Sequence, residues 1–391
     1  MKIKEITFFA ENPSRLRSWS NIPFLFTQAL EEKGIKVNRV STYFNRNWRR
    51  CLWNPFILPI LNRLCKGHCY TFEMLPIYRY FIQQRIRKAV KKYPHADLNL
   101  YCSYDYIDLN SNIPNVLFSD WTIEYVIRYR MTRQPFRFEK SHMTINRRNI
   151  ERADIVACLF PDIADAMSYI YNKPFLTVEG NVINNAYTGH FDETDIINHK
   201  KDSEILLFIG KKHYLQGALL LVEVFTAFKQ KHPSAELHFI GLERKNLPNK
   251  LSPGIFCHGY LDKSRPNDRK LYYDLLLKAK CLINPTSLWA GYSSMVEAMY
   301  FYTPIITTPY ASFTHTFGQS INFGFYLPEK ADVLSLTERL ENITGIDSDT
   351  YASYCRNAHD AVKDFTWRHY TDCFIQQLER LLPDKTPSTA D

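Results

Sequence analysis

Short apolar runs alternate along most of the chain with longer stretches in which apolar residues recur every three or four positions. Compact runs of four to eight apolar residues are typical of buried strands, and the longer spacing is typical of amphipathic helices. Regular alternation of the two predicts parallel sheets with helices packed on their faces. The pattern therefore predicts an α/β protein.

The alternation forms two successive series, separated by residues 184–202, a polar and charged stretch that we interpret as an interdomain linker. The strands predicted for the first series are 3–10, 37–42, 98–102, 116–118, 155–160 and 175–179. The helices predicted between them are 23–33, 77–92, 122–129, 144–153 and 162–171. The strands predicted for the second series are 205–210, 236–241, 255–259, 281–284 and 304–307. Its predicted helices are 216–231, 268–279, 293–301, 331–340, 350–363 and 369–382.

Composition supports a globular protein of two domains, because 391 residues with 45% hydrophobic and 15% aromatic content can form two cores. The net charge of +9 favours anionic partners such as nucleotides, phospholipids or phosphate-linked glycans. Nucleic acid is not an expected partner. The basic residues look scattered along the chain, and no helix-turn-helix, zinc-finger or RNA-binding signature is present.

The nine cysteines are odd in number and irregular in spacing, which is typical of a reduced cytosolic protein. Cys65, His68 and Cys69 lack a fourth ligand, so a local turn with thiols is expected there and a metal site is not. Residues 1–10 are too charged for a signal peptide. The expected location is cytoplasmic, with the inner face of the membrane as a peripheral alternative.

The segment 284–308 carries the clearest chemical pattern in the chain: a strand end, a loop of small residues, a helix and a second strand. A helix that opens at Tyr292, Ser293 and Ser294 offers free backbone N–H groups and a positive dipole end, which suit phosphate. Glu297, one turn later, could accept both hydroxyls of a ribose. The segment therefore predicts a nucleotide site.

The same segment, with Glu-Ala-Met at its centre, resembles the donor-site signature of retaining GT-B glycosyltransferases of glycosyltransferase family 4. Residues 205–210 and 235–241 are similar to two glycine-ended strands of that family, and Phe365-Thr-Trp367 is similar to the motif before its last helix. The resemblance implies two Rossmann-like domains that face each other across a cleft. An acceptor domain at 1–190 and a nucleotide-sugar domain at 200–365 are expected. The last helix, at 366–383, would cross back to the first domain.

The resemblance also implies a diphosphate contact in the loop 210–217. Lys211 stands at the family's arginine position, and Gln216 stands at its lysine position, so one positive charge is lost. The adjacent Lys212 could compensate for that loss. The alternative is a solvated loop with surface lysines.

Family members carry two glutamates eight positions apart around the donor loop, and Glu297 corresponds to the second. Trp289 stands at the position of the first, which normally contacts the transferred sugar. An indole could stack on a sugar face, or it could simply pack. Gly291 completes the predicted donor loop before the helix.

Residues 17–23 resemble a Trp-Ser-Gly-x-Pro loop of one branch of the family, which faces the donor diphosphate. This assigns Ser20 and Asn21 to the site, with a simple helix N-cap as the alternative. Ser119-Asp120-Trp-Thr122 resembles the branch's Ser-Asp-Ala-Thr. Asp120 could position or deprotonate the acceptor hydroxyl, or it could cap the helix 122–129.

Asp347-Ser-Asp349 is a literal Asp-x-Asp motif, but its place near the C-terminus favours a helix cap. Neither a metal nor another cofactor is therefore expected. Residues 44–66 are basic and aromatic and then apolar, which suits a membrane interface. A buried insertion after the second strand is the alternative.

Together these patterns predict a retaining glycosyltransferase that moves a sugar from a UDP- or GDP-sugar to a glycan or lipid-linked glycan, with bacterial surface polysaccharide synthesis as the expected setting. Two alternatives stay open. One is a catalytically silent homologue that binds a nucleotide sugar or a glycan, and the other is a nucleotide-sugar epimerase of the same architecture.

Overall fold

The computed structural model describes residues 2–16, 19–43, 47, 49–286 and 292–382. The chain divides into two compact units. The first comprises Met1–Gly180 together with Trp367–Asp391, and the second comprises Asn181–Thr366. Each unit is built on its own sheet.

The sheet of the first unit has six strands in the order β2-β1-β3-β4-β5-β6, and every neighbouring pair is parallel. Its central strands β3 and β4 are buried along almost their whole length, as expected where helices cover both faces of a parallel sheet. The strands are β1 (Glu5–Ala10), β2 (Lys36–Ser41), β3 (Leu98–Tyr101), β4 (Asn115–Ser119), β5 (Ile155–Cys158) and β6 (Phe175–Leu176).

Helical segments of α and π type follow the strands of the first unit before the chain passes into the second. The second segment has wide π-helical turns, and the fifth continues as π-helical turns at Val126–Arg130. They are α1 (Ile22–Glu32), α2 (Arg49–Ile57), α3 (Leu58–Leu64), α4 (Pro76–Lys92), α5 (Ile123–Tyr125), α6 (Arg137–Arg152) and α7 (Pro161–Tyr171).

The second unit repeats this architecture with a parallel sheet in the order β12-β11-β10-β7-β8-β9. Its strands are β7 (Ile205–Ile209), β8 (Glu236–Ile240), β9 (Ile255–Cys257), β10 (Cys281–Asn284), β11 (Ile305–Thr307) and β12 (Gly324–Tyr326). Its helices are α8 (Glu193–Lys201), α9 (Leu215–Lys231), α10 (Pro266–Lys278), α11 (Ser293–Tyr300), α12 (Ala311–Phe317), α13 (Val333–Gly345) and α14 (Ser348–Asp360).

The last helix, α15 (Trp367–Leu381), belongs to the first unit although it follows the second in sequence. The buried ring of Phe26 on α1 stacks on Trp367 at a centroid distance of 5.1 Å and meets Phe374 edge-on at 5.5 Å. Aromatic pairs of this geometry stabilise a core beyond the area they bury. The two sheets confirm the predicted α/β class.

The linker predicted at 184–202 is partly wrong, because α8 occupies its second half. Asp192 caps the helix by accepting from the N–H groups of Thr194 and Asp195. Ile196 and Ile197 are buried in the core of the second unit. The sequence did not indicate this helix because most of its residues are polar and its buried apolar residues are few.

Four further elements were not predicted: the helical segments α2 and α3, the short helix α12, and the edge strand β12. Each is short or lacks a clear period, so tertiary packing rather than local pattern decides it. The helix predicted at 144–153 begins earlier, at Arg137, because Glu139 accepts from the backbone N–H of Phe136 in its first turn.

Asp347 caps α14 by accepting from the N–H groups of Asp349 and Thr350, as the sequence predicted. The capping hydrogen bonds lower the pKa of Asp347, as expected for a carboxylate that receives backbone donors. Within the described part of the chain, every helix is too short or too polar to span a bilayer.

Candidate functional site

The strand order of the second sheet reverses between β7 and β10, which lie side by side. The chain runs from β7 outward to β9, and then from β10 outward in the opposite direction. The connections after β7 and β10 therefore lead to opposite sides of this point, an arrangement that in open α/β sheets creates a crevice at the strand ends. Open α/β sheets bind ligands at this point. It is the place where the predicted loops 210–217 and 284–292 begin.

Glycines keep the carboxyl edge of this sheet free of side chains beside the crevice. Gly241, just after β8, has a φ of 95°, which disfavours other residues. A Cβ atom there would lie 2.5 Å from the carbonyl oxygen of Gly210. The N–H of Gly241 also donates to the carbonyl of Gly259 at 2.7 Å. The ends of three adjacent strands are thus held together through backbone alone.

Helix α9 packs its first turn against the loop that follows β10. A Cβ atom on Gly217 would lie 2.2 Å from the hydroxyl oxygen of Thr286 and 3.3 Å from the backbone carbon of Pro285. Only glycine allows this approach. The contact brings the start of α9, including Gln216, next to the loop of the predicted nucleotide signature.

Lys211, Lys212 and Gln216 are all exposed at this edge. The Lys211 ammonium lies 5.4 Å from the ring centroid of Tyr260, a cation–π contact with an exposed ring just after β9. Burial lowers the pKa of the neighbouring His213, and the charge of Lys211 adds to this effect. Two lysines therefore supply positive charge here, while Gln216 offers only an amide.

Helix α11 begins at Ser293, as predicted, and Ser293 and Ser294 are half-buried. Tyr292 directly precedes the helix, and its predicted contact with a ligand stays a prediction. Its side chain is a core residue, and its hydroxyl lies 2.6 Å from the Thr316 hydroxyl. Tyr292 could therefore contribute only backbone to a ligand. Trp289 and Gly291 lie outside the described residues.

Glu297 is buried on α11 with 3% of its surface exposed. Lys263 Nζ lies 2.6 Å from both carboxylate oxygens. The hydroxyls of Tyr272 and Tyr273 donate to one oxygen each, both at 2.9 Å. A carboxylate accepts about four hydrogen bonds. A ribose could reach Glu297 only by displacing one of these donors, so its predicted ribose contact stays a prediction.

The lysine of this ion pair is largely enclosed, with 11% of its side chain exposed. Lys263 Nζ also donates to the carbonyl of Asn184 at 3.2 Å and lies 4.2 Å from the ring centroid of Tyr272. Burial lowers the pKa of Lys263, and the Glu297 carboxylate opposes that shift. Sequence reasoning missed Lys263, Tyr272 and Tyr273. A lysine before a proline-started helix resembles a solvated residue, and no local signal links it to Glu297.

Asp120 follows β4 at the carboxyl edge of the first sheet. It accepts from the indole N–H of Trp19 at 3.1 Å and from the backbone N–H of Trp121 at 2.9 Å. Burial raises the pKa of Asp120, and these hydrogen bonds only partly oppose it. Asp120 does not cap the following helix, since Thr122 is the N-cap of α5 and accepts from Tyr125 N–H. The alternative capping role of Asp120 is therefore wrong.

The loop before α1 is held in an unusual backbone conformation. Trp19, Ser20 and Asn21 have φ angles of 43°, 54° and 69°. Three successive left-handed residues cost free energy, and such strain concentrates at functional sites. Asn21 is the N-cap of α1, but among the described residues its side chain makes no capping hydrogen bond. A simple side-chain cap thus does not explain this loop.

A second carboxylate, which the sequence analysis missed, follows β3 at the same edge. Asp105 Oδ1 lies 2.7 Å from His142 Nε2 and accepts from Asn146 at 2.8 Å. Burial would raise the pKa of Asp105, but the charge and hydrogen bonds of His142 and Asn146 hold it below its usual value. The four-residue spacing on α6 was the available signal, since it puts both partners on one helix face.

The comparisons with known proteins fit this geometry. Residues 191–358 match the family model of Glycosyl transferases group 1. No match was found among curated protein sequences. Among solved structures, sucrose-phosphate synthase from Thermosynechococcus elongatus is similar at 13% identity with a TM-score of 0.65, and the match covers 97% of this chain and 99% of that one.

Two other solved structures show the same likeness. WaaG, a glycosyltransferase involved in lipopolysaccharide biosynthesis, has 14% identity and a TM-score of 0.60 over 95% of this chain and 99% of its own. HepE from Anabaena, solved in complex with UDP and glucose, has 12% identity and a TM-score of 0.60 over 96% and 99%. The identities are low, so these likenesses establish the fold, which is the GT-B fold of glycosyltransferases.

Proposed function

We propose that this GT-B protein is a retaining glycosyltransferase, similar to family 4, that moves a sugar from a UDP- or GDP-sugar to a glycan or lipid-linked glycan. The observation that carries the proposal is the reversal of strand order between β7 and β10, with exposed lysines in the loop after β7 and the start of α11 in the connection after β10. A cytoplasmic setting in bacterial surface polysaccharide synthesis, at the inner face of the membrane, is part of the proposal.

The leaving diphosphate needs positive potential as negative charge develops on it. Lys211 and Lys212 would supply charge from one side of the crevice, and the N–H groups of Ser293 and Ser294 would supply helix-terminal donors from the other. Fixed donors of this kind require no metal, so the proposed transfer is metal-independent. Gln216 would hold the donor through hydrogen bonds rather than charge.

Asp120 is the proposed catalytic residue for the acceptor. Its carboxylate is fixed by Trp19 and by the N–H of Trp121, and burial raises its pKa toward the range useful for general base chemistry. It would position the acceptor hydroxyl, and Ser20 and Asn21 would shape the adjoining loop. For a transfer with retention, the donor phosphate itself would assist attack on the same face of the sugar.

UDP is the first base to test, because the similar HepE structure contains UDP and glucose. The saturated carboxylate of Glu297 and the neutral Gln216 favour one competing function, a silent homologue that binds the donor without transferring it. That competing protein would still bind nucleotide. Binding and turnover must therefore be measured separately.

The test is a thermal-shift and calorimetric panel of UDP, GDP, ADP and CMP on the wild type, Lys211→Ala and the control Lys250→Ala, an exposed lysine of the same unit. A ligand that binds only the native state raises the unfolding midpoint. Loss of a charge-assisted phosphate contact should weaken the affinity of Lys211→Ala roughly tenfold or more, and that of the control not at all.

Turnover is measured next, with the sugar form of whichever nucleotide binds. Transfer or slow donor hydrolysis that falls in Asp120→Asn, with nucleotide affinity unchanged, supports the enzyme. Nucleotide binding without any turnover identifies the silent homologue. Release of an altered sugar without an acceptor identifies an epimerase. The absence of binding to all four nucleotides rejects the proposal.

A further inference from the structure

The positive charge of the chain is concentrated in one segment of the first unit. Residues 44–96 contain eleven lysines and arginines and a single acidic residue, Glu73. Their net charge of +10 exceeds the +9 of the whole chain, so the remaining residues carry a net charge of −1. The net positive charge is therefore concentrated in this segment, although 38 of the 49 lysines and arginines lie elsewhere, where acidic residues balance them.

The same segment exposes four large apolar side chains at intervals of four residues. Leu52, Phe56, Ile60 and Leu64 are exposed to 43%, 62%, 58% and 73%. A spacing of four residues covers slightly less than one turn of the wide π-helical α2 and slightly more than one turn of α3. The angular offsets between successive side chains are therefore opposite in sign in the two segments and partly cancel. The four side chains consequently stay on one face, which we call the apolar stripe.

Aromatic packing fixes this segment to the rest of the unit and leaves the apolar stripe outside. Trp53 is only 3% exposed and packs against Tyr70 and Phe72, both at centroid distances of 6.2 Å. Phe72 in turn packs edge-on against Tyr78 of α4 at 5.0 Å. The helical segments α2 and α3 are thus joined to α4 through a chain of rings.

Cations lie at both ends of the apolar stripe and along α4. Arg49 and Arg50 are exposed before it, and Arg63 and Lys66 are exposed at its end. α4 adds three exposed apolar residues and a run of exposed basic residues, which are Ile77, Tyr80 and Phe81, and Arg87, Lys88, Lys91 and Lys92. Apolar and basic groups of these kinds together match the two layers of a lipid interface.

We propose that the apolar stripe inserts into the interface of an anionic lipid bilayer while the surrounding cations contact its headgroups. The proposal deepens the membrane location included in the proposed function by naming the inserting residues and the lipid charge. A nucleic acid would match the cations but would leave four aliphatic or phenyl side chains in water. A second copy of the chain would bring two surfaces of like charge together.

The test is co-sedimentation of the full chain with phosphatidylglycerol-containing vesicles and with pure phosphatidylcholine vesicles, in the absence of any nucleotide. The wild type should bind the anionic vesicles, bind the neutral ones far more weakly, and dissociate as salt is raised. The variant Phe56→Ser/Leu64→Ser should partition at least about tenfold more weakly. Both positions are exposed, so the variant is expected to fold.

Tyr169→Ser/Leu334→Ser is the matched control, since Tyr169 and Leu334 are 85% and 79% exposed elsewhere on the chain. Its vesicle binding should equal that of the wild type. Equal binding by the stripe variant and the control would overturn the proposal. The proposal would also be overturned if the wild type bound a single-stranded oligonucleotide but no vesicles. It would be overturned as well if light scattering showed self-association that the stripe variant abolishes, while no vesicle binding occurred.

The nucleotide panel is repeated on the same variants. If the wild type fails to bind vesicles but binds nucleotide, only this inference is rejected. The two results are separable because the apolar stripe lies in the first unit and the candidate nucleotide crevice in the second. If the wild type binds vesicles but no nucleotide, only the proposed glycosyl transfer is rejected.

Discussion

At the scale of single residues, Lys263 and Glu297 form a largely enclosed ion pair in the second unit. The Glu297 side chain is 3% exposed and that of Lys263 11%, and the ammonium donates to both carboxylate oxygens. Such a pair adds little net stability over an apolar pair, but removal of one partner leaves a buried charge without compensation. This ion pair holds the Glu297 side chain in place about one turn after the start of α11 at Ser293.

We expect Lys263→Met to lower the free energy of unfolding of the second unit by about 3–5 kcal/mol, because Glu297 is then buried without its cation. The double variant Lys263→Met/Glu297→Gln should recover most of that loss. Urea unfolding followed by peptide-resolved hydrogen exchange within 205–366 measures both. Lys250→Met, at an exposed site, should be neutral. A double variant no more stable than the single one would contradict this account.

At the scale of elements, α8 shows how a polar segment becomes part of a core. Lys200 is fully buried, and its ammonium donates to the carbonyls of Leu276 and Ala279 at the end of α10 and to the hydroxyl of Thr303. A cation suits the negative end of a helix. Burial nevertheless lowers the pKa of Lys200 to about 7.

This pKa predicts a stability that depends on pH. An unfolded lysine has a pKa near 10.4, so between about pH 7 and pH 10 the unfolded chain binds more protons at this site than the native chain. Stability contributed by Lys200 therefore rises with pH in that window, by up to about 1.4 kcal/mol per pH unit, and is constant below it. Urea unfolding of the wild type and Lys200→Met at pH 7, 8 and 9 measures the difference.

Above about pH 8.5, the pKa of an unfolded thiol, the buried cysteines contribute with the opposite sign, since burial raises the pKa of Cys281 to about 12 and of Cys355 to about 11. Only the difference between wild type and Lys200→Met isolates the lysine. That difference should become more favourable to the wild type as pH rises. An unchanged difference from pH 7 to pH 9 would show that Lys200 stays charged in the native state.

At the scale of the whole molecule, the first unit is built from two stretches of sequence that are far apart along the chain. The first unit is interrupted after Gly180 by the second and is completed by α15. Phe374 of α15 is buried among Phe26, Phe118 and Tyr370. The core of the first unit therefore depends on residues almost two hundred positions downstream.

Phe374→Ala should consequently destabilise the first unit by about 3–5 kcal/mol and leave the second near its original stability. Hydrogen exchange resolved by peptide should show faster exchange in 5–180 and little change in 205–366. Phe225→Ala, in the core of the second unit, should give the reverse pattern. Equal loss of protection in both units for both variants would mean that the two unfold as one.

The sequence by itself determined the class of the protein and most of its elements. Apolar periodicity is a local property, and strands such as β7 and helices such as α9 carry enough of it to be recognised alone. The start of α11 at Ser293 and the cap at Asp347 were also predicted, because the ends of a helix are encoded within a few residues.

Only the tertiary structure decided which groups meet and which face water. Lys263 lies 34 positions before Glu297, and no local rule pairs them. The apolar residues of α2 and α3 could equally have been core, and their exposure follows from how Trp53 anchors the segment. Contacts between distant residues depend on the packing of whole elements, which the free energy of the folded chain selects and which a local pattern does not contain.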